Sequence, residues 1–404
     1  MNSVRVVLTA TLSLLASAMC ADTPRPLLPI PDKLVVLTFD DGNASDFTTV
    51  APILESHGFC GTFFVTSGWV GRDKRVTWKQ VANLQQRGFE IACDTNSHPN
   101  LLRLSDDKIQ AEIEAFDRAC AKHGIRKATS FAYPGAHFDR RMLKVLAKLG
   151  YTRARRGRDP ERPCEDEGGP GRAYVPGEDD PFVIPTALTR GIGALSDQLI
   201  EEALGKSSGG RVTVLTYHGV PDVHRHCSIS VERFRRDMKF LKKSGATVIA
   251  LRDLDRYVDL SKRPKDPFAS IVARLGLEVR NARCDAGKSK QSFTWDLDTK
   301  RWTQKQVAYR ILVASRREIL DGDRGDLWDS GKVKSANRSR VRYVGKALKP
   351  GATYWWKVQC WNRRDAAEIE KVVPYVCKEL VDELKKSRAG KFSSAASFEL
   401  EGSR

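Results

Sequence analysis

Apolar runs and amphipathic segments alternate from Leu34 to about Asp259. Runs such as Leu34–Phe39 are apolar at nearly every position, which is typical of strands buried on both faces of a parallel sheet. Segments between the runs, such as Arg140–Leu149, carry apolar residues at helical spacing. About seven strand–helix repeats without an antiparallel hairpin signal predict an α/β fold, either a (β/α) barrel or a closely related parallel sheet. The predicted strands are Leu34–Phe39, Gly61–Val65, Phe89–Cys93, Thr129–Tyr133, Tyr151–Ala154, Phe182–Ile184, Arg211–Tyr217 and Thr247–Leu251.

A different pattern follows a short linker near Lys262–Pro267, which contains proline and lysine. Roughly seven short strands over ~130 residues predict a smaller, all-β sandwich. These strands are Leu277–Arg283, Ser292–Asp298, Val307–Ser315, Lys332–Lys334, Arg340–Val344, Tyr354–Trp361 and Ala396–Leu400. We therefore predict two domains, at residues 32–260 and 271–404, joined by a linker at residues 261–270.

The last two predicted strands are separated by an insertion near residues 365–390. Its apolar residues recur at helical spacing, and Pro374 predicts a kink. Two placements stay open, because this helix could pack on the sandwich or dock elsewhere. The tryptophans of the second domain also have two interpretations, as core residues or as an exposed platform for sugars.

The first residues have the pattern of a secretory signal peptide. Arg5 precedes the apolar run Val6–Leu15, and Ala16–Ala18 provides small residues for cleavage. We predict a signal peptide at residues 1–21 and a secreted or periplasmic protein. Cys20 raises the alternative of a lipid anchor, but Met19 fits a lipobox poorly. No apolar stretch is long enough to predict a transmembrane helix.

Charge and cysteine content narrow the partners. The 404 residues carry a net charge of +18, and about two thirds of the excess lies beyond Pro267. This charge indicates either a solvated basic surface or attraction to an anionic wall polymer. We do not expect nucleic acid as a partner of an exported chain that has no recognisable nucleic-acid module.

The nine cysteines include no CxxC pair, which argues against a zinc ribbon. Cys60 and Cys93 are predicted to lie too far apart to form a disulfide bond. Cys360 and Cys377 remain a possible disulfide pair.

Polar side chains follow several of the predicted parallel strands, at the point where each strand ends. Asp40 and Asp41 follow the first strand, Asp94 and His98 follow Phe89–Cys93, and His218 follows Arg211–Tyr217. The carboxyl ends of such strands meet at one rim, where parallel barrels carry their active sites. We therefore expect these side chains to form a site.

The chemistry of these residues predicts a hydrolytic centre. Asp41, Asp94 and His98 form a facial set of two carboxylates and one imidazole, which suits a divalent cation with open positions for water and substrate. Asp40 is then available as a general base, and His218 as a general acid.

Four ordered motifs resemble those of the polysaccharide deacetylases, the NodB-homology group of carbohydrate esterase family 4. They are Thr38–Gly42, Asp94–Pro99, Phe131–Gly135 and Leu215–His218, and the resemblance extends from about Leu34 to Asp259. It implies a distorted (β/α) barrel, a divalent metal that is usually zinc, and removal of acetyl groups from N-acetylated sugars or, in some members, from esters. By the same resemblance Asp40 matches the base, Asp41 and His98 match metal ligands, and His218 matches the acid.

The second domain resembles fibronectin type III-like modules, particularly those of bacterial rhamnosidases. The stretches Ala308–Ala314 and Leu327–Val333 carry that likeness. Such modules are attached to many exported glycan-active enzymes, so the likeness supports the compartment more than any chemistry.

The deacetylase motifs depart from the family pattern at three positions. Asp94 stands where the family usually has a metal-binding histidine, and a carboxylate there favours harder cations than zinc. Ala132 and Gly135 stand where the family often has an arginine that orients the base and a tyrosine near the oxyanion donor. Arg155 or Arg156 is a candidate replacement for the missing cation. The remaining candidates are Tyr133, Pro134, Gly135 and His137 for the substrate or oxyanion, and Asp159, Asp179 and Asp180 for tuning His218.

These departures leave two functions open. The first is an exported, metal-dependent hydrolase that removes acetyl groups, foremost N-acetyl groups, from a polysaccharide or wall glycan. The second is a degenerate deacetylase that binds glycans without catalysis.

Overall fold

The computed structural model describes residues 26–157, 171–189, 195–221, 228–275, 279–286, 291–297, 304–364, 369, 377–386, 388–390 and 392–400. The predicted signal peptide, with Cys20, lies outside these residues. No helix among the described residues combines the length and apolar character that a membrane crossing requires.

The first part of the described chain forms a parallel sheet, as the apolar runs predict. Its strands are β1 (Leu34–Phe39), β2 (Thr62–Val65), β3 (Glu90–Cys93), β4 (Ser130–Ala132), β5 (Arg153–Arg155), β6 (Ala187–Leu188), β7 (Thr213–Tyr217) and β8 (Thr247–Ile249). Their order is β5-β4-β3-β2-β1-β7-β6, and β8 also pairs with β1. Every pair is parallel. This curled parallel sheet confirms the predicted NodB-type (β/α) architecture.

The sheet is curled because Ile184 and β6 bridge the gap between β5 and β7. Ile184 donates its backbone N–H to Ala154, and Arg156 donates to the Ile184 carbonyl. The predicted strand near Phe182–Ile184 is correct only in part: Pro181–Val183 is a single 3-10 turn, Ile184 forms a parallel bridge with Arg155, and β6 follows. Pro181 fixes the first φ of that turn, and the Asp180 carboxylate accepts the N–H of Phe182.

Helices cover the outer face of this sheet and recur in the second domain. They are α1 (Ala51–Ser56), α2 (Trp78–Gln86), α3 (Asp106–Lys122), α4 (Arg140–Lys148), α5 (Leu195–Gly205), α6 (Val231–Lys243), α7 (Ala269–Ala273), α8 (Arg317–Asp321) and α9 (Lys378–Lys385). A π-helical turn, Asp46–Val50, precedes α1.

The two-residue period of β1 explains why its whole run is apolar. Val35, Leu37 and Phe39 belong to the core cluster shared with the helices. Leu34 and Val36 belong to a second cluster on the inner face. Because side chains alternate between faces, Asp40 continues the inward-facing set.

The second part of the described chain folds into two antiparallel sheets. Their strands are β9 (Val279–Asp285), β10 (Ser292–Leu297), β11 (Gln304–Ala314), β12 (Trp328–Asp329), β13 (Val341–Arg342), β14 (Thr353–Arg364), β15 (Arg388–Ala389) and β16 (Ala396–Glu399). The sheet orders are β13-β10-β9 and β12-β11-β14-β15, with β16 paired to β14. These sheets confirm a smaller all-β part.

The core between these sheets is aromatic. Trp295 and Trp356 are fully buried, and the Phe293 and Trp356 rings lie 4.4 Å apart. The core interpretation therefore holds for these two tryptophans. The predicted strand Lys332–Lys334 is wrong, because only Val333 pairs with Tyr309 and the strand itself lies earlier, at β12.

The described end of the insertion docks against the parallel-sheet domain. Leu380, Val381 and Leu384 of α9 belong to the same hydrophobic cluster as the helices of that domain. At the surface, Arg140 Nε donates to both carboxylate oxygens of Glu379, at 2.8 and 2.9 Å. Residues 365–368, 370–376, 387 and 391 lie outside the described residues.

The cysteines of the described residues are free thiols, including Cys60, Cys93, Cys360 and Cys377. The possible Cys360–Cys377 bridge is therefore wrong. Cys360 Sγ instead lies 3.1 Å from Gln306 Oε1, as a hydrogen-bond donor.

Candidate active site

The first motif ends β1 with a tight backbone reversal. Asp41 and Gly42 both have positive φ, at 73° and 63°. A Cβ at Gly42 would lie 3.3 Å from the Val76 side chain, so glycine suits both the conformation and the space. Asp40 donates its N–H to the Tyr217 carbonyl at 3.0 Å, which extends the β1–β7 ladder by one residue. The reversal separates the two carboxylates so that each enters a different group of residues.

Asp41, Asp94 and His98 form the first group. One ligand atom from each lies within 4.8 Å of the others. His98 Nε2 is 3.7 Å from a carboxylate oxygen of Asp41 and 3.7 Å from one of Asp94. The sequence predicts these three residues as ligands, and the structure brings them together.

The loop after β3, rather than a helix, positions Asp94 and His98. Thr95 and His98 have positive φ, at 62° and 58°, and His98 donates its N–H to Thr95 Oγ1 at 3.0 Å. Glu112 of α3 accepts the backbone N–H groups of Asn96 and Ser97, at 3.1 and 2.8 Å. The loop is thus fixed by its neighbours, and both ligand candidates are held before any ion binds.

Burial sets the electrostatics of this group. The Asp94 side chain is only 3% exposed. Burial, followed by the nearby carboxylates of Asp41 and Asp40, raises the pKa of Asp94 well above its usual range. Burial also lowers the pKa of His98, although Asp41 opposes that shift. Two carboxylates and a neutral imidazole that converge in this way fit a divalent cation, which would be held by Asp41, Asp94 and His98.

Three residues that the sequence analysis missed support the first group. Arg75 Nη1 donates to the Asp41 carbonyl at 3.1 Å, and its guanidinium lies 4.6 Å from the Trp69 ring. Trp69 in turn packs against the His98 ring at 5.1 Å. Thr66 Oγ1 donates to Asp94 Oδ2 at 3.3 Å. Arg75 and Trp69 do not follow a strand directly, so no sequence pattern indicates their role. Thr66 directly follows β2 at the same rim, and this position could have identified it as a site residue.

Asp40, Arg155 and His218 form the second group. Arg155 Nη2 donates to Asp40 Oδ1, and both side chains are buried. His218 Nε2 lies 3.7 Å from the other oxygen, Asp40 Oδ2. The Arg155 guanidinium also lies 4.9 Å from the Phe64 ring on the inner face of the sheet. Asp40 is therefore held between a cation and an imidazole.

Of the two candidate arginines, Arg155 reaches the site. Ala132 of β4, which stands where the family often has an arginine, pairs in register with Arg155 of β5. The Arg155 guanidinium therefore reaches the site from the neighbouring strand. Arg156 lies on the opposite face, where its Nε donates to the Val183 carbonyl at 3.1 Å. The alternation of side chains along β5 selects one arginine over the other.

The residues of the third motif shape their own loop. Tyr133 is buried and donates its hydroxyl to the Phe182 carbonyl at 2.9 Å. Burial raises the pKa of that hydroxyl well above its usual range. Gly135 has a φ of 59°, and a Cβ there would lie 2.7 Å from the His137 ring. His137 Nδ1 lies 3.0 Å from the Pro134 carbonyl oxygen. Tyr133 is thus a packing residue, and Gly135 leaves space for His137.

Two candidate partners of His218 are engaged elsewhere. Asp179 pairs with Arg172, and Asp180 accepts from Arg263 Nε at 2.8 Å. Asp159 lies outside the described residues. Among the described residues, Asp40 is the carboxylate that pairs with His218.

Two parts of the chain match known families. Residues 29–154 match the family described as Polysaccharide deacetylase. We refer to the part of the chain that contains this match as the deacetylase domain, after the family that it resembles. Residues 272–373 match the family described as Rha78A-like, N-terminal immunoglobulin domain. The deacetylase match includes Asp40, Asp41, Asp94 and His98 but ends before Arg155 and His218.

The deacetylase domain and the immunoglobulin-like module each have their own relatives. The peptidoglycan-N-acetylmuramic acid deacetylase PdaA of Bacillus subtilis is 29% identical over 122 residues, which cover 30% of this chain and 45% of PdaA. An alpha-L-rhamnosidase of Formosa agariphila is 36% identical over 91 residues, which cover 22% of this chain and 10% of the rhamnosidase. The Xyl-CE4 domain of a xylanase from the hindgut metagenome of Trinervitermes trinervoides has a TM-score of 0.40 and 20% identity over 55% of this chain and 90% of that domain. The chain spans less than half the length of these curated relatives.

Proposed function

We propose that this protein is an exported, metal-dependent hydrolase that removes acetyl groups, foremost N-acetyl groups, from a polysaccharide or wall glycan. The observation that carries the proposal is the pairing of two groups at one rim. Asp41, Asp94 and His98 provide cation ligands, and Asp40, held by Arg155, lies beside His218. The relative PdaA is named for deacetylation of an N-acetylated glycan, which supports the choice of bond.

The residues of the second group would move the protons. Arg155 binds Asp40 Oδ1, which leaves Oδ2 to accept a proton from the attacking water. His218 Nε2 lies beside that oxygen and can donate a proton to the leaving nitrogen. A divalent cation at Asp41, Asp94 and His98 would supply Lewis acidity for the acyl carbonyl and for water.

The identity of the cation depends on Asp94. Zinc is the usual metal of the family that this domain resembles, and His98 suits it. A second buried carboxylate adds negative charge and favours a harder ion such as Mn²⁺. We propose a divalent cation, zinc in the first instance, with Asp94 leaving room for a harder ion.

The experiment measures metal content and acetate release on the same preparations. The purified protein is loaded separately with Zn²⁺, Mn²⁺ and Co²⁺, its bound metal is counted by mass spectrometry, and acetate is measured from N-acetylated chito-oligosaccharides. The proposal expects one ion per chain and metal-dependent acetate release. The matched variant Asp94→His, which restores the residue usual in the family, is expected to retain more zinc than the wild type.

Asp94 also favours a second candidate function, glycan binding without catalysis. That function predicts no acetate release with any of the three ions while acetylated glycans still bind the protein. Such a result, obtained with well-folded protein, would overturn the catalytic proposal and support the binding protein.

A further inference from the structure

The immunoglobulin-like module exposes a run of cations in a segment of sequence that contains no acid. Residues 330–364 contain ten lysines or arginines and no aspartate or glutamate. Arg363 of β14 is exposed, and so are seven residues that precede β14: Lys332, Lys334, Arg338, Arg340, Arg342, Lys346 and Lys349. None of these seven side chains forms an ion pair with a carboxylate of the described residues.

Three of these arginines lie in a row beside β10. The backbone N–H of Trp295 donates to the Arg338 carbonyl at 3.0 Å. The backbone N–H of Arg340 donates to Thr294 Oγ1 at 3.0 Å, and Arg342 pairs in register with Ser292. Val341 between them is buried, so Arg340 and Arg342 lie on the outer side. We call Arg338, Arg340 and Arg342 the basic ridge.

A buried glutamine orders the backbone that carries the basic ridge. Gln306 is 5% exposed, and its Nε2 donates to the carbonyls of Ser335 and Asn337, at 3.0 and 2.9 Å. Its Oε1 accepts the indole N–H of Trp295 at 2.9 Å. The loop before Arg338 is thus fixed to the core, so binding at the ridge costs little backbone entropy.

The acids nearest to the ridge are distant or already paired. Asp296 of β10 accepts from Arg283 and Asn281, each at 3.2 Å, and the charge of Arg338 also acts on it. Asp285 of β9 pairs with Ser292 of β10, and Ser292 in turn pairs with Arg342 of β13. Asp285 therefore lies two strands away from Arg342, at about 10 Å. Neighbouring arginines of the ridge are two residues apart in sequence, so their Cα atoms are at most about 7 Å apart. This separation is within the Debye length of about 8 Å, so their potentials add.

We propose that the basic ridge binds an acidic polysaccharide and so holds the deacetylase domain on its glycan. A repeating polyanion fits a row of exposed guanidinium groups on an ordered backbone. The choice of a polysaccharide over other polyanions rests on the proposed function, since the ridge is joined to a polysaccharide deacetylase domain.

The test measures binding of fluorescent oligogalacturonate, a sugar polymer with carboxylates and no acetyl groups. The triple variant Arg338→Gln, Arg340→Gln, Arg342→Gln is expected to bind about tenfold more weakly at low ionic strength. Wild-type binding should fall as salt approaches about 0.15 M. The control is Lys79→Gln, Lys108→Gln, Lys122→Gln, which removes the same charge from exposed positions of the deacetylase domain and should retain wild-type affinity within about twofold.

Arg340 has a positive φ of 52°, so the variant Arg338→Gln, Arg342→Gln repeats the test without that position. Equal losses in the ridge and control variants, or no oligogalacturonate binding by the wild type, would overturn the proposal. Tighter binding to DNA of the same charge would reassign the ridge to nucleic acid. The probe has no acetyl group, so failure here is independent of acetate release.

Discussion

The rim of the deacetylase domain and the basic ridge of the immunoglobulin-like module differ in how their charges are solvated. At the rim, Asp40 and Arg155 are buried and paired, and Asp94 lies beside Asp41 and His98. On the module, Arg338, Arg340 and Arg342 are exposed and form no ion pair with a carboxylate of the described residues, although Arg338 interacts with Asp296 over a longer distance. Buried charges interact strongly and resist salt, whereas exposed charges act weakly, additively and over a distance. Single substitutions should therefore have large effects at the rim, and only grouped substitutions should have effects at the ridge.

The largest effect is expected for Asp40→Asn. The amide keeps the shape of the side chain but cannot accept the proton, so kcat should fall about 10³-fold. The bound metal should stay at the wild-type level, because Asp41, Asp94 and His98 supply the ligands. Acetate release and metal counting on the same sample check both statements. Loss of the metal in this variant would show that the two adjacent aspartates have exchanged roles.

Arg155→Ala should have the next largest effect. Without the guanidinium, Asp40 loses the partner of its Oδ1, and kcat should fall about 100-fold while KM changes little. Arg155 acts through Asp40, so it is a positioning residue. Rescue provides the discriminating measurement: Ala132→Arg in the Arg155→Ala background brings a guanidinium back from the neighbouring strand and should restore part of kcat.

The control for that experiment is Arg156→Ala. Arg156 is buried next to Arg155 in sequence but donates to the Val183 carbonyl. This variant should lower the stability of the domain and leave kcat of the folded fraction near the wild-type value. If Arg155→Ala and Arg156→Ala lowered kcat equally, Arg155 would have no specific role at Asp40.

Strand ends explain how much of the rim the sequence could predict. Asp40, Asp41, Asp94 and His218 come at the ends of recognisable strands, and parallel strands bring such positions to one rim. His98 also depends on the loop after β3, which positions it. The choice between Arg155 and Arg156 required the register of β5, because a shift of one residue exchanges the faces. Arg75 and Trp69 were missed, since they come from a loop whose path depends on tertiary packing.

The insertion shows the corresponding limit for the fold. Its helical spacing predicted α9 and its apolar face, but a face does not specify what it packs against. The structure places Leu380 and Leu384 in the core cluster of the deacetylase domain. The two misplaced strands, Phe182–Ile184 and Lys332–Lys334, have residues that suit a strand. In the structure Pro181–Val183 forms a 3-10 turn, and at Lys332–Lys334 only Val333 pairs with a strand.

The smallest effect is expected for Gln306→Leu, which should change the stability of the immunoglobulin-like module. Leucine leaves the Trp295 indole N–H and the Ser335 and Asn337 carbonyls without their partner, which should lower the free energy of unfolding by about 2 kcal/mol. Gln306→Glu keeps an acceptor for the Trp295 indole N–H but loses the two hydrogen bonds to the loop carbonyls. Comparison with Gln306→Leu therefore separates the effect of the Trp295 bond from the effect of the loop bonds. Thermal unfolding gives the stability, and oligogalacturonate binding reports the ridge. If the ridge depends on an ordered loop, both variants should bind more weakly even where they are fully folded. Unchanged affinity in the folded variants would mean that the charges alone suffice, and that backbone order matters at the rim but not at the ridge.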